Sequence, residues 1–240
     1  SLNLKLGKFM KQAALSLSQP KLTANGLSRN FSLDFTQSTP DNSGSQLNYG
    51  MQKYELSVGF GVPVLMKNTR LDFSSSLKHI MITDADNLPA PFKDYTGKNG
   101  ESFLQPEFDL SFTHTTLDQQ PFPTSGGLQS LDVNLGIPHD LIGGDGDKGL
   151  GYLKLETKAQ WYIPVYGDSW ILSPHYDFGW GQGFSNKDNE LPFYDNFLAG
   201  GIDSVPGYEA GSLGPYYRDS NEDVQYLGGN LLTVAGVNLI

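Results

Sequence analysis

Residues 152–165 read Tyr-Leu-Lys-Leu-Glu-Thr-Lys-Ala-Gln-Trp-Tyr-Ile-Pro-Val. Leu153, Leu155, Thr157, Ala159, Trp161, Ile163 and Val165 share one parity, and Lys154, Glu156, Lys158 and Gln160 share the other. An extended strand points successive side chains to opposite faces, so this period of two predicts a long two-faced strand. The turn signal Gly167-Asp168 follows, and then the scheme repeats. Trp170, Leu172, Tyr176, Phe178 and Trp180 alternate with Ser173, His175, Asp177, Gly179 and Gly181.

The same alternation recurs on the N-terminal side. It sets Phe31, Leu33 and Phe35 against Ser32, Asp34 and Thr36, and Tyr54, Leu56, Val58, Phe60 and Val62 against Glu55, Ser57, Gly59 and Gly61. It returns in Phe108, Leu110 and Phe112, and in Leu131, Val133, Leu135 and Ile137. Turn chemistry separates the runs, as at Pro40-Asp41-Asn42-Ser43-Gly44, Lys67-Asn68 and Gly143-Gly144-Asp145-Gly146-Asp147. About ten strands result by this template. No window carries a helical apolar stripe, so no helix is expected. Parallel strands need long crossovers, so the fold class is all-β and antiparallel.

An apolar strand face must be covered. A soluble sandwich or lipocalin-like barrel covers it with protein. A transmembrane barrel covers it with lipid and turns the polar face to a wet lumen. Three features favour the membrane. The strands reach the roughly 9–11 residues that a tilted span needs. The polar face is rich in Gly, Ser, Asp, Glu and Lys. Aromatics stand near the predicted strand ends, at Phe9, Tyr49, Tyr54, Tyr152, Trp161, Tyr162, Trp170 and Trp180, as interfacial girdles would.

Composition excludes other classes. The 240 residues hold 16 Lys+Arg against 26 Asp+Glu, a net charge of -10, so nucleic acid is not an expected partner. Aromatics at 12% argue against disorder. No run of about 18 apolar residues offers a transmembrane helix. Zero cysteines exclude disulfides and thiolate metal sites. The start Ser1-Leu2-Asn3-Leu4-Lys5 carries no signal-peptide core, which fits a cytosolic chain, a removed signal or an internal piece.

Residues 191–215 read Leu-Pro-Phe-Tyr-Asp-Asn-Phe-Leu-Ala-Gly-Gly-Ile-Asp-Ser-Val-Pro-Gly-Tyr-Glu-Ala-Gly-Ser-Leu-Gly-Pro. This run resembles the signature of the BamA family of outer-membrane assembly factors of Gram-negative bacteria. Pro192, Phe193, Tyr194, Asn196, Phe197, Ala199, Gly200 and Gly201 match its first part. Val205, Gly207 and Tyr208 match its second, and Leu213, Gly214 and Pro215 its third. Leu117-Asp118 with Phe122-Pro123-Thr124 and Gly126 resembles a strand connection of the same family, and Ala14 through Gly26 an early strand pair.

The resemblance implies a transmembrane β-barrel domain over 1–240, holding about 10–11 of about sixteen strands. It implies that periplasmic POTRA domains and the last strands lie outside this stretch. It implies a long extracellular loop, 185–228, folded back into the lumen. The implied function is ATP-independent folding and insertion of β-barrel proteins into the outer membrane. The implied partners are outer-membrane lipids, nascent barrel proteins and accessory assembly lipoproteins, the last through POTRA domains. A two-partner-secretion or autotransporter-assembly barrel stays open as a relative, and a passive porin or soluble all-β binding protein as a different class. One position departs from the signature: Pro206 stands where the family has the arginine that tethers the loop. Arg218 is the nearby cation, outside the motif.

No enzyme, cofactor or metal is expected. His79, His114, His139 and His175 lack metal-ligand spacing. Gly143 through Gly149 lacks the Gly-Lys-Ser/Thr of a phosphate loop and reads as a hairpin loop. No Gly-x-Ser-x-Gly elbow occurs. Lys154, Glu156 and Lys158 read as a self-compensating lumen face. The glycines Gly200, Gly201, Gly207, Gly211 and Gly214 predict close backbone approach and positive φ in a folded-back loop.

Overall fold

The computed structural model describes residues 1–24, 26–39, 49–64, 66–138, 150–166, 170–184, 189–202, 204–218, 222 and 224–240. Ten strands form one antiparallel sheet, each pairing with its neighbours in chain order until the end. They are β1 (Leu2–Leu6), β2 (Met10–Gln19), β3 (Ser28–Ser38), β4 (Met51–Pro63), β5 (Thr69–Ile82) and β6 (Ser102–Thr115). Then come β7 (Gly126–Gly136), β8 (Tyr152–Tyr166) and β9 (Trp170–Gly183). A short hairpin, β10 (Tyr216–Arg218) and β11 (Val224–Tyr226), lies apart, and β12 (Leu231–Leu239) returns to pair with β9.

The register stacks like on like. Leu2, Leu15, Leu33, Leu56 and Leu77 stand opposite one another across five strands, all 43% exposed or more. A slip of one residue would carry this whole row to the other face. There, Ser16, Ser32, Ser57, Ser76, Glu107, Gly136, Tyr152 and Gly183 form one continuous row across eight strands. Ser32 and Ser57 hydroxyls bond along it at 2.8 Å. The outward face is thus exposed and apolar, and the inward face polar, as the alternation predicts.

The inward face is not wet along its whole height. At one end Ile80, Ile82, Phe103 and Tyr152 point inward and are buried. Between β5 and β6 the chain forms a 3₁₀ turn (Ala85–Asn87) and α1 (Ala90–Asn99), which the sequence reading missed. Its buried residues Phe92, Tyr95, Thr96 and Asn99 follow i, i+3, i+4, i+7 spacing. Only two of the four are apolar, so no stripe is visible in a hydropathy pattern. Tyr49 and Tyr152 are not the girdle residues expected from their places near strand ends: they are 4% and 1% exposed within this core. Tyr162 also has the inward parity of Lys154. Tyr54, Trp161 and Trp170 remain exposed.

The predicted turns at Pro40–Gly44, Gly143–Gly149 and Gly167-Asp168 lie outside the described residues, as does His139. Among the described residues no helix is long and apolar enough to cross a membrane.

Candidate functional site: the motif loop on the inward face

The chain between β9 and β12 leaves the sheet and folds over the inward face. It starts at Leu191, 4% exposed, whose side chain lies over Gly181. A Cβ at Gly181 would meet Leu191 at 2.7 Å, and one at Gly179 would meet the Phe197 ring at 2.5 Å. A Cβ at Gly183 would meet the Glu190 carbonyl oxygen at 2.1 Å. The alternation Phe178-Gly179-Trp180-Gly181-Gln182-Gly183 therefore keeps bulk outside and leaves a smooth inner track for the loop. Lys154, next across on β8, holds its ammonium 4.6 Å from the Phe197 ring centroid.

Residues Phe193–Asp195 form a 3₁₀ turn. Phe193 stacks on Phe92 of α1 at 4.4 Å between centroids. It meets Tyr49 and Tyr95 edge-on at 5.3 and 5.4 Å. Tyr194 packs on Phe103 of β6 at 5.6 Å. Offset and edge-to-face pairs of this kind add roughly 0.5–1.5 kcal/mol each beyond the area they bury. One aromatic cluster thus joins the sheet wall, α1 and the motif loop.

A polar network lies beside it. Lys78 on β5 reaches Glu107 on β6 at 2.6 Å, with Glu107 only 3% exposed. The Tyr152 hydroxyl donates to the other Glu107 oxygen. Asp195 from the loop faces Lys78, Lys154, Glu107 and Tyr152. Burial pushes the Asp195 carboxyl above its usual range, against the pull of the Lys78 and Lys154 ammonium groups. Burial likewise raises the Tyr49 and Tyr194 phenols. The network sets two ammonium groups, Lys78 and Lys154, against two carboxyl groups, Glu107 and Asp195. Lys154 also pairs with Glu156, its neighbour on the same face of β8, at 3.0 Å.

Beyond Phe197 the loop makes single-residue bridges, Phe197 with Gly229, Ala199 with Leu213 and Gly201 with Val205. Asn196 donates to the Leu227 carbonyl at 3.0 Å. The five motif glycines, Gly200, Gly201, Gly207, Gly211 and Gly214, all have positive φ, between 69° and 121°. At Gly200 the need is also spatial, since a Cβ would lie 2.4 Å from the Glu209 carbonyl oxygen.

The predicted site residues therefore divide. Pro192, Phe193, Tyr194 and Phe197 are packed against the wall and α1, and Asn196 bonds the returning loop at Leu227. Gly200, Gly201, Val205, Leu213, Gly214 and Pro215 shape the turn-back. Pro206 borders a cavity of about 390 Å³ with Lys158, Gln160, His175, Asp177, Ile202 and Asn238 among its walls. Tyr208 is 57% exposed, and Arg218 is exposed on β10. The sequence reading missed the partners: Tyr49, Phe92, Tyr95, Phe103, Glu107 and the glycine track. Only the track had a signal, in its Gly-x-Gly-x-Gly alternation within a strand. Of the histidines, His114 bonds Thr69 Oγ1 at 2.7 Å, His79 bonds Ser102 Oγ at 3.0 Å, and His175 lies against Gly236. Among the described residues no group of His, Cys, Asp and Glu is gathered for a metal.

Comparison with known proteins agrees with this geometry. The Omp85 superfamily domain matches residues 1–240. The outer membrane protein assembly factor BamA of Neisseria meningitidis serogroup B is 25% identical over 233 residues, covering 93% of this chain and 28% of that protein. The crystal structure of BamA from Haemophilus ducreyi lacking POTRA domains 1-3 superposes with a TM-score of 0.83 at 21% identity. That match covers 100% of this chain and 46% of the crystallised one, so the fold is that of a large part of the BamA barrel. This chain spans less than a third of the curated relative and just under half of the crystallised one.

Proposed function

The chain belongs to the Omp85 superfamily, and on that premise we propose that it is the barrel portion of an outer-membrane assembly factor. Its work is to fold and insert other β-barrel proteins into the Gram-negative outer membrane without ATP. The observation that carries this reading is the Pro192–Pro215 motif seated on the inward face of a sheet whose outward face is apolar and exposed.

The physical logic starts from the substrate. A nascent barrel has strand edges whose N–H and C=O groups find no water in lipid, at several kcal/mol for each unsatisfied group. A barrel that offers strand edges by β-augmentation satisfies those groups during insertion. The apolar outward face places the assembly factor in the same lipid, and the polar inward face offers a less costly path for polar loops. The partners in this reading are outer-membrane lipids, nascent barrel proteins and accessory lipoproteins that dock on POTRA domains outside this stretch. No catalytic step is assigned to the protein: the network at Glu107 positions the loop. The aromatic cluster at Phe193 closes over one end of the inward face, which disfavours a passive porin.

Depletion of the parent protein tests the reading. Outer-membrane barrels should fall in the membrane, and their unfolded forms should accumulate in the periplasm. Unchanged barrel levels on full depletion would sink it.

A further inference from the structure

We propose that the motif loop is positioned at its root, by Phe193 and the track beneath its neighbours, and not at its tip, by residue 206. The inference rests on the assembly reading only for what the positioning serves.

Burial along the loop is graded. Leu191, Phe193 and Phe197 are 4%, 6% and 9% exposed, whereas Ile202 and Tyr208 are 87% and 57% exposed. Phe193 touches aromatic rings from the β3–β4 connection, from α1 and from its own turn. Gly179 and Gly181 admit Phe197 and Leu191 so closely that any side chain there would displace them. Lys154 adds a cation over the Phe197 ring, an interaction that strengthens where water is excluded.

The tip has none of this. A Cβ at Gly207 would meet no atom within 4 Å. Pro206 borders open space, and its ring has no N–H and no charge to offer Lys158 or Asp177 across it. The bridges Ala199 with Leu213 and Gly201 with Val205 hold the tip's own shape. They tie it to itself, so the place of the tip over the inward face is inherited from residues 190–197. Phe193, Gly179 and Gly181 are therefore positioning residues for the whole motif, and the arginine expected at 206 is dispensable for docking in this protein.

The test places spin labels on the full-length protein at two exposed positions, Ile202→Cys on the tip and Val165→Cys on the outward face of β8. The distance distribution should be single and narrow in the parent and in Pro206→Ala. In Phe193→Ala it should broaden ~2-fold or more, since a released segment samples many positions. Phe193→Tyr, which keeps the ring, should restore the narrow distribution. Heat-modifiable mobility confirms a folded barrel in each variant. If Phe193→Ala does not fold, Gly181→Val, which expels Leu191, should give the same broadening. A narrow distribution in whichever of these two folds, or a Pro206→Ala distribution as broad as theirs, overturns root positioning. Outer-membrane barrel levels, measured in the same strains, separate the two claims. Broadening with normal assembly leaves root positioning standing and removes the need for a docked loop from the assembly reading.

Discussion

Glu107 is held by Lys78 at 2.6 Å and by the Tyr152 hydroxyl, and is almost fully enclosed. Replacing such a pair by apolar groups is often neutral, but removing one partner leaves a buried charge unpaired at a cost of roughly 3–5 kcal/mol. Lys78→Ala should therefore lower the temperature of the heat-modifiable mobility transition. Lys78→Met with Glu107→Leu should lose less than Lys78→Ala alone. A Lys78→Ala barrel as stable as the parent would show that the pair is not enclosed in membranes. Asp118 illustrates the opposite environment, an exposed turn between β6 and β7. Thr124 Oγ1 donates to it at 2.5 Å, and the amides of Thr124, Ser125 and Gln119 donate at 3.0–3.2 Å. These bonds, the Thr124 hydroxyl first, favour the charged form and lower the carboxyl pKa to about 2. A group with depressed folded pKa stabilises its turn above the unfolded value of about 3.9 and loses that contribution as pH falls through the folded one. Amide exchange at Thr124 and Ser125 should stay slow at neutral pH and lose protection between about pH 4 and pH 2. In Asp118→Ala the protection should be absent at every pH.

Strands and the helix follow different rules of legibility. Each strand of the sheet is two-faced, and its register aligns leucine with leucine outside and serine with serine inside. Leu56 and Ser57 are neighbours in the middle of β4 and face opposite ways, with Leu56 59% exposed. Arginine on the lipid face near the midplane costs roughly 2–4 kcal/mol. Leu56→Arg should therefore reduce the level of folded barrel in the membrane, and Ser57→Lys, on the polar face, should not. Equal tolerance at both positions would contradict the assignment of faces. The helix α1 was not legible, because its buried face includes Thr96 and Asn99 and its partner Phe193 lies a hundred residues away in sequence. Phe92→Ala should free α1 from the loop, with a loss of about 3–5 kcal/mol, the usual range for a buried Phe→Ala. Faster amide exchange across Ala90–Asn99 would report it.

At the scale of the whole molecule, the exposed apolar face is too continuous for water. The row Leu2, Leu15, Leu33, Leu56 and Leu77 alone crosses five strands. Large exposed apolar patches on soluble proteins are limited to a few hundred Å². The full-length protein should require detergent, and should migrate faster unheated than boiled. Solubility without detergent would remove the lipid-facing reading and return the soluble all-β alternatives.

Period-two alternation by itself determined the strands, their antiparallel order and which face meets lipid, because every second side chain must share an environment and a one-residue slip would reverse them all. The Pro192–Pro215 run by itself pointed to the family and to a folded-back loop. The tertiary structure decided what that loop rests on. Tyr49 and Tyr152 read as girdle residues in one dimension and prove to be core, Tyr152 because strand parity turns it inward and Tyr49 because Phe92 and Phe193 pack against it. Phe92 and Phe193 have no local pattern that pairs them, and Gly179 and Gly181 show their purpose only once Phe197 and Leu191 lie upon them. Contacts between distant segments leave no periodic trace in either, so the wall is written in the chain and the seat of the loop is made by folding.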